Sequence, residues 1–225
     1  MESHFEQELD ELRQRLLKMA SYAEIAVTLA LQSLAQRDSN LALQVKRNDS
    51  VIDQFEIEID DLVIQHLTKA PLATDLRLVT AAIKISHNLE RVGDEATKIA
   101  KHARELCLEA PLKIQLDLSR MTALTLDMLK ASLDAFGNRN PELARSVIPR
   151  DKEVDRLNKQ NHEALAQYMV ENTDAIKRSL HWMVVSKSLE RIADHATNIA
   201  EDVVYLCEGR DIRHTDAKNT LVTVA

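Results

Sequence analysis

The sequence predicts an all-α protein, a tandem duplication of two three-helix bundles with six long antiparallel helices, and three observations predict it. Turn and strand chemistry is scarce: the 225 residues include 3 Gly and 4 Pro, and aromatic residues make up 3%, which disfavours a strand-rich fold. Apolar residues recur at alternating steps of four and three, as in Ile85, Leu89, Val92, Ala96, Ile99, Ala103 and Leu106, marking one buried side of a long helix. The chain also repeats itself: LERVGDEATKIAKHARELC, Leu89 to Cys107, returns as LERIADHATNIAEDVVYLC, Leu189 to Cys207, displaced by 100 positions throughout.

Each element has its own local signals. Ser3 with Glu6 forms a capping box, and Leu12, Leu16, Met19, Ala23, Ala26 and Ala30 carry the first helix to about Arg37. Asp38, Ser39 and Asn40 break it and cap the second, whose stripe Val45, Asn48, Ile52, Phe55, Ile59, Leu62 runs to about Lys69. Pro71 separates that from a third helix over about Leu72 to Leu108, which ends before Pro111.

The second half repeats the plan. A fourth helix is expected from about Leu112 to Phe136 with a stop at Gly137, and a fifth from Asn140-Pro141, where Asn caps and Pro fits the first turn. Val147, Val154, Leu157, Ala164 and Tyr168 line it. After Asn172-Thr173 the sixth helix runs to about Cys207 and closes at Gly209. The earlier helices repeat with a shift of 102, pairing Met19 with Met121, Leu41 with Leu143, Asp49 with Asp151 and Asp53 with Asp155. Short connections make neighbours antiparallel, so the expected units are 1–109, 110–209 and a frayed tail, 210–225.

Composition narrows the function. A formal net charge of −7 argues against a basic grip on a nucleic-acid backbone. The polar, acidic N-terminus MESHFEQELDEL lacks signal-peptide character, and no stretch is apolar enough to span a bilayer, so the expected location is the cytoplasm. The 2 Cys, at equivalent repeat positions, are expected to be small buried hydrophobes. No nucleophile motif, Gly-rich phosphate cradle or cysteine–histidine spacing is present. Catalysis therefore has no candidate machinery.

The repeat also carries acids. Glu90 and Asp94 sit four apart, as do Glu190 and Asp194, and each pair is preceded on the previous helix by another, Asp49 with Asp53 and Asp151 with Asp155. Carboxylates at that spacing repel by roughly 0.2–0.5 kcal/mol per pair, so a repeated pair asks for a reason. If the pairs face each other, each bundle offers an all-oxygen site for Mg²⁺, Mn²⁺, Ca²⁺ or iron. The plainer reading is a surface ion-pair network in which Asp94 meets Lys98, but Lys98 becomes Asn198 in the second copy whereas the acids persist. A ferritin-like di-iron site would need Glu-x-x-His on core-facing positions, which no helix supplies. Among scattered histidines only His195, beside Asp194, is retained as a candidate, and Arg91 and Arg191 are candidate partner contacts.

These residues resemble the PhoU family of phosphate-signalling regulators. LERVGDEATKIA and LERIADHATNIAE, each in the last helix of a three-helix repeat and each preceded by an Asp-x-x-x-Asp helix, are similar to that family's doubled signature, over essentially Phe5 to Gly209. One departure is Ala193 in place of Gly93, whose added methyl is expected to crowd a neighbour. The resemblance implies a cytoplasmic, non-enzymatic regulator, usually oligomeric and here a homodimer. It would repress the phosphate-starvation regulon when phosphate is plentiful and modulate uptake, by linking the ATPase subunit of the high-affinity phosphate ABC transporter to a membrane histidine kinase. It also implies metal, whether Fe, Zn, Mn or Mg, on motifs that map to Asp49, Asp53, Glu90, Asp94, Asp151, Asp155, Glu190 and Asp194. The competing expectation is a metal-dependent enzyme or metal store using the same carboxylates.

Overall fold

The structure, a computed structural model, describes residues 4–67 and 73–213. Ser3 of the expected capping box, Pro71 and most of the tail lie outside the described residues. Helices α1 (His4–Gln36), α2 (Ser39–Leu67) and α3 (Ala73–Cys107) form the first half. The second comprises α4 (Leu118–Asn138), α5 (Pro141–Val147), α6 (Asp151–Glu171) and α7 (Ile176–Glu208). No strand occurs among the described residues.

The apolar stripes face inward as their spacing requires. Leu12, Leu16, Met19 and Ala23 of α1, Ile85, Leu89, Val92, Ala96 and Ile99 of α3, and Leu189, Ile192, Ala196 and Ile199 of α7 are all fully buried. They belong to one apolar core that continues from the first half into the second, burial of this kind being the main favourable term in folding. α3 and α7 form the most extensively packed helix pair. They run antiparallel, because contacts climb one helix as they descend the other: Lys84 to Asp202, Asn88 to His195, Glu95 to Ser188 and His102 to His181.

Three boundaries differ from expectation. The fifth helix comes in two pieces, α5 and α6, joined by a 3₁₀ turn at Ile148–Arg150. Pro149 has no N–H to donate within a helix, and its ring clashes with the preceding turn; the duplicate position is Arg47, and α2 runs unbroken there. α4 begins only at Leu118. Its stop is not Gly137, which is still helical, but Arg139, left-handed at φ 49°, duplicating Arg37 at φ 54°. A non-glycine in that region is uncommon, and Arg37 is held there by donating to the carbonyls of Leu106, at 2.6 Å, and Cys107, at 3.2 Å, at the open end of α3. Cys107 and Cys207 are free and only partly buried. Other signals stand as expected: Asn40 N–H donates to Asp38 Oδ1, Leu143 N–H to the Asn140 side chain, and Gly209 closes α7 at φ 69°.

Candidate metal centres and the cleft beside them

In the first half α2 and α3 approach closely enough for their acids to interact. The approach is set at Gly93, where an added Cβ would stand 2.9 Å from Ile52 Cδ1 and 3.8 Å from Asp49 Oδ1. Thr97 donates to Asp49 Oδ1 at 3.1 Å. Burial pushes the Asp49 carboxyl up from its ordinary value; the Thr97 hydroxyl opposes this, and Asp53 and Asp94 add to it. Glu90 is also raised, first by burial and then by Asp94. Glu90 and Asp94 are thus half-buried against α2 and not on an open outer face. Lys98 does not pair with Asp94: it reaches Glu95 at 2.7 Å, and Arg91 sits 3.3 Å from both Glu90 and Asp94.

The second half brings three of its four predicted acids together. Donor oxygens of Asp155, Glu190 and Asp194 lie within 4.8 Å of one another. Asp151 stands outside that triad, in the first turn of α6 after the proline break, where the helix dipole favours a negative charge. Asp194 is pushed up to about 6, by burial first and then by Glu190, Asp151 and Asp155. Three mutually repelling oxygen donors match a hard divalent cation, whose charge relieves that repulsion in competition with Lys187, whose Nζ lies 2.5 Å from Glu190 Oε2.

In the first half the closest three-donor group is a different one, Glu56, His87 and Glu90. Asp53 and Asp94 act on Asp49, and Asp94 acts on Glu90, but these four acids do not complete such a group. Glu56 and His87 were not anticipated. The available signal was His87-Asn-Leu-Glu90, a histidine and a glutamate one helical turn apart in the order opposite to the di-iron motif.

Between α3 and α7 lies a cleft of about 780 Å³, with Arg91, Glu95, Arg191, Asp194 and His195 among its walls. Glu95 is its anchor. Burial disfavours its charge, yet hydrogen bonds from Lys98, Ser188 and Arg191 together outweigh that and hold the carboxyl below its ordinary value. Ser188 donates at 2.7 Å and Arg191 at 3.2 Å. The duplicate of Glu95 is His195, which contacts Asn88, the duplicate of Ser188, at 2.9 Å and does not join the acids. The two arginines therefore part company. Arg191 crosses to α3, while Arg91, with no carboxylate at the equivalent place, folds onto the acids of its own helix.

The PhoU domain family model matches residues 16–103 and again 118–203. The chain is 40% identical over 222 residues to the phosphate-specific transport system accessory protein PhoU homolog of Pseudomonas putida, covering 98% of this chain and 87% of that protein. Its identity to the protein of the same description from Pseudomonas aeruginosa is 41% over 212 residues, 93% of this chain and 88% of the relative. The crystal structure of PhoU from Pseudomonas aeruginosa superposes with a TM-score of 0.89 at 40% identity, covering 92% of this chain and 100% of that one. The phosphate transport system regulatory protein PhoU from Streptococcus pneumoniae follows with a TM-score of 0.84 at 28% identity, covering 93% of this chain and 99% of that one.

Proposed function

Because the chain belongs to the PhoU family, we propose that it is a cytoplasmic, non-enzymatic accessory protein of phosphate transport that represses the phosphate-starvation regulon while phosphate is plentiful. It acts as an adaptor, joining the ATPase subunit of a high-affinity phosphate ABC transporter to a membrane histidine kinase, and works as a homodimer. The observation that carries this reading is similarity along nearly the whole chain to relatives described as phosphate-specific transport system accessory proteins. In keeping with it, no helix among the described residues is long and apolar enough to cross a membrane, so membrane partners would be met from outside the bilayer. Arg91 and Arg191 stand exposed beside the cleft, where they can meet a partner's acidic side chains. The acids hold a divalent metal or iron, most directly at Asp155, Glu190 and Asp194.

The test is deletion of the gene with a phosphate-starvation reporter read in phosphate-rich medium. Constitutive expression is expected, and complementation should restore repression. Copurification from membranes that contain transporter and kinase should recover both; continued repression in the deletion strain, or recovery of neither partner with intact protein, would remove the adaptor reading.

A further inference from the structure

The duplication supplies an internal control for the donor group at Glu56, His87 and Glu90. Glu56 corresponds to Asn158, with the shift of 102 that relates α2 to the second half, and His87 and Glu90 correspond to Lys187 and Glu190 with the shift of 100. In the second half Lys187 Nζ lies 2.5 Å from Glu190 Oε2, and Asn158 accepts a hydrogen bond from Ser186 at 2.8 Å. The chain there provides its own cation. In the first half the same three positions carry two carboxylates and an imidazole, with Glu56 Oε1 3.4 Å from His87 Nδ1. Glu56 also helps raise Glu90, after burial and Asp94.

We propose that Glu56, His87 and Glu90 form a divalent transition-metal site, Zn²⁺ in type, present in the first half alone. Three features carry it. The donors come from two helices, Glu56 from α2 and the His87–Glu90 pair from one turn of α3, so a bound ion clamps the two together. Their donor atoms lie within 4.8 Å of one another, and small rotamer changes bring them to the roughly 3.3 Å separation that bonds of about 2.0–2.2 Å to a four-coordinate zinc require. Most directly, the duplicate of this position is filled by an ammonium on the matching glutamate. The imidazole sets the metal class, because nitrogen favours Zn²⁺ or Co²⁺ over Mg²⁺. The resident competitor is Arg91, 3.3 Å from Glu90 Oε2, whose half-exposed side chain can swing into solvent.

This inference does not rest on the adaptor reading, nor on the all-oxygen triad at Asp155, Glu190 and Asp194, which serves as the reference site. The experiment titrates the full chain with Co²⁺, followed by its visible absorption, and with Zn²⁺ by calorimetry, with melting curves to verify folding. The native chain is expected to bind one Zn²⁺ through a nitrogen-containing site. His87→Lys, which copies the second half and sits on an exposed position, and Glu56→Asn are each expected to weaken Zn²⁺ at least roughly tenfold while leaving Mn²⁺ binding at the reference site unchanged. Arg91→Ala should tighten it, and the double change Asn158→Glu with Lys187→His should create a second Zn²⁺ site. Zn²⁺ affinity unaltered in both His87→Lys and Glu56→Asn, or no Zn²⁺ binding by the native chain, would overturn the proposal. Neither result would touch the reporter assay of the adaptor role.

Discussion

Gly93 lies against Ile52, so close that a Cβ there would meet the isoleucine Cδ1 at 2.9 Å. The duplicate pair is Ala193 and Val154, both fully buried, so one methyl has moved from the α2-type helix to the α3-type helix and the summed volume is unchanged. The methyl that the sequence expected to crowd a neighbour is matched by one removed from that neighbour.

Gly93→Ala should therefore destabilise by about 1 kcal/mol, overpacking outweighing the gain in helix propensity. Adding Ile52→Val should restore most of it. Urea unfolding of the two single variants and the double variant measures the coupling, and additive effects would refute it.

Asp194 makes stability depend on pH. Its folded value near 6 lies above the ordinary 3.8, so between roughly pH 4 and 6 the folded state binds more protons than the unfolded chain, and this group's effect on stability worsens as pH rises. Asp194→Asn should stabilise the metal-free protein at pH 7 by about 1–2 kcal/mol after solvent screening and flatten the profile in that window. Adding Mn²⁺ should raise the melting temperature of the native chain more at pH 7 than at pH 5, and this difference should vanish in the variant.

Across the α3–α7 pair, His102 and His181 place their Nδ1 atoms 2.7 Å apart. One ring must donate while the other accepts, so both cannot be protonated there. His102 is held below its ordinary value by burial first, then by His181 and Lys101, with Glu105 opposing. A base depressed in the fold contributes stability that is lost as pH falls through about 6.5. This slope is opposite to that of Asp194, and His102→Asn should remove it selectively, read from melting temperatures between pH 5 and 8.

Glu95→Ala should cost about 1–3 kcal/mol by leaving the Ser188 hydroxyl and two cations without their acceptor. The loss should appear as faster hydrogen exchange along α3 and α7 together, since Glu95 joins them. Ser188→Ala should reproduce a smaller part of it. Confinement of the change to α3 would show that the bridge to Arg191 and Ser188 contributes nothing.

The helices were legible because each carries its own evidence. The stripe from Ile85 to Leu106 specifies a buried face whatever it packs on, and the repeat at Leu89 and Leu189 specifies that the face occurs twice. Gly209 and Asn140-Pro141 punctuate through local backbone chemistry. Pro149 was equally local and marks a break that the periodicity of Val147 and Val154 conceals. Arg139 was not local. Its left-handed turn duplicates that of Arg37, which is held by carbonyls 69 and 70 residues away.

The all-α class, the duplication, the inward faces and the eight acids with their spacings can all be read along the chain. Which acids meet depends on how the helices pack. Spacing along one helix allows Lys98 to choose Asp94 or Glu95; in the fold Arg91 meets Asp94, and Lys98 joins Ser188 and Arg191 of α7 on Glu95. Spacing says nothing of Glu56 and His87, brought together from 31 residues apart by the register of α2 on α3. Helix periodicity is a property of neighbours in the chain, whereas the charge on a carboxylate and the ion it can hold depend on every group within a few ångströms, and most of those arrive on another helix.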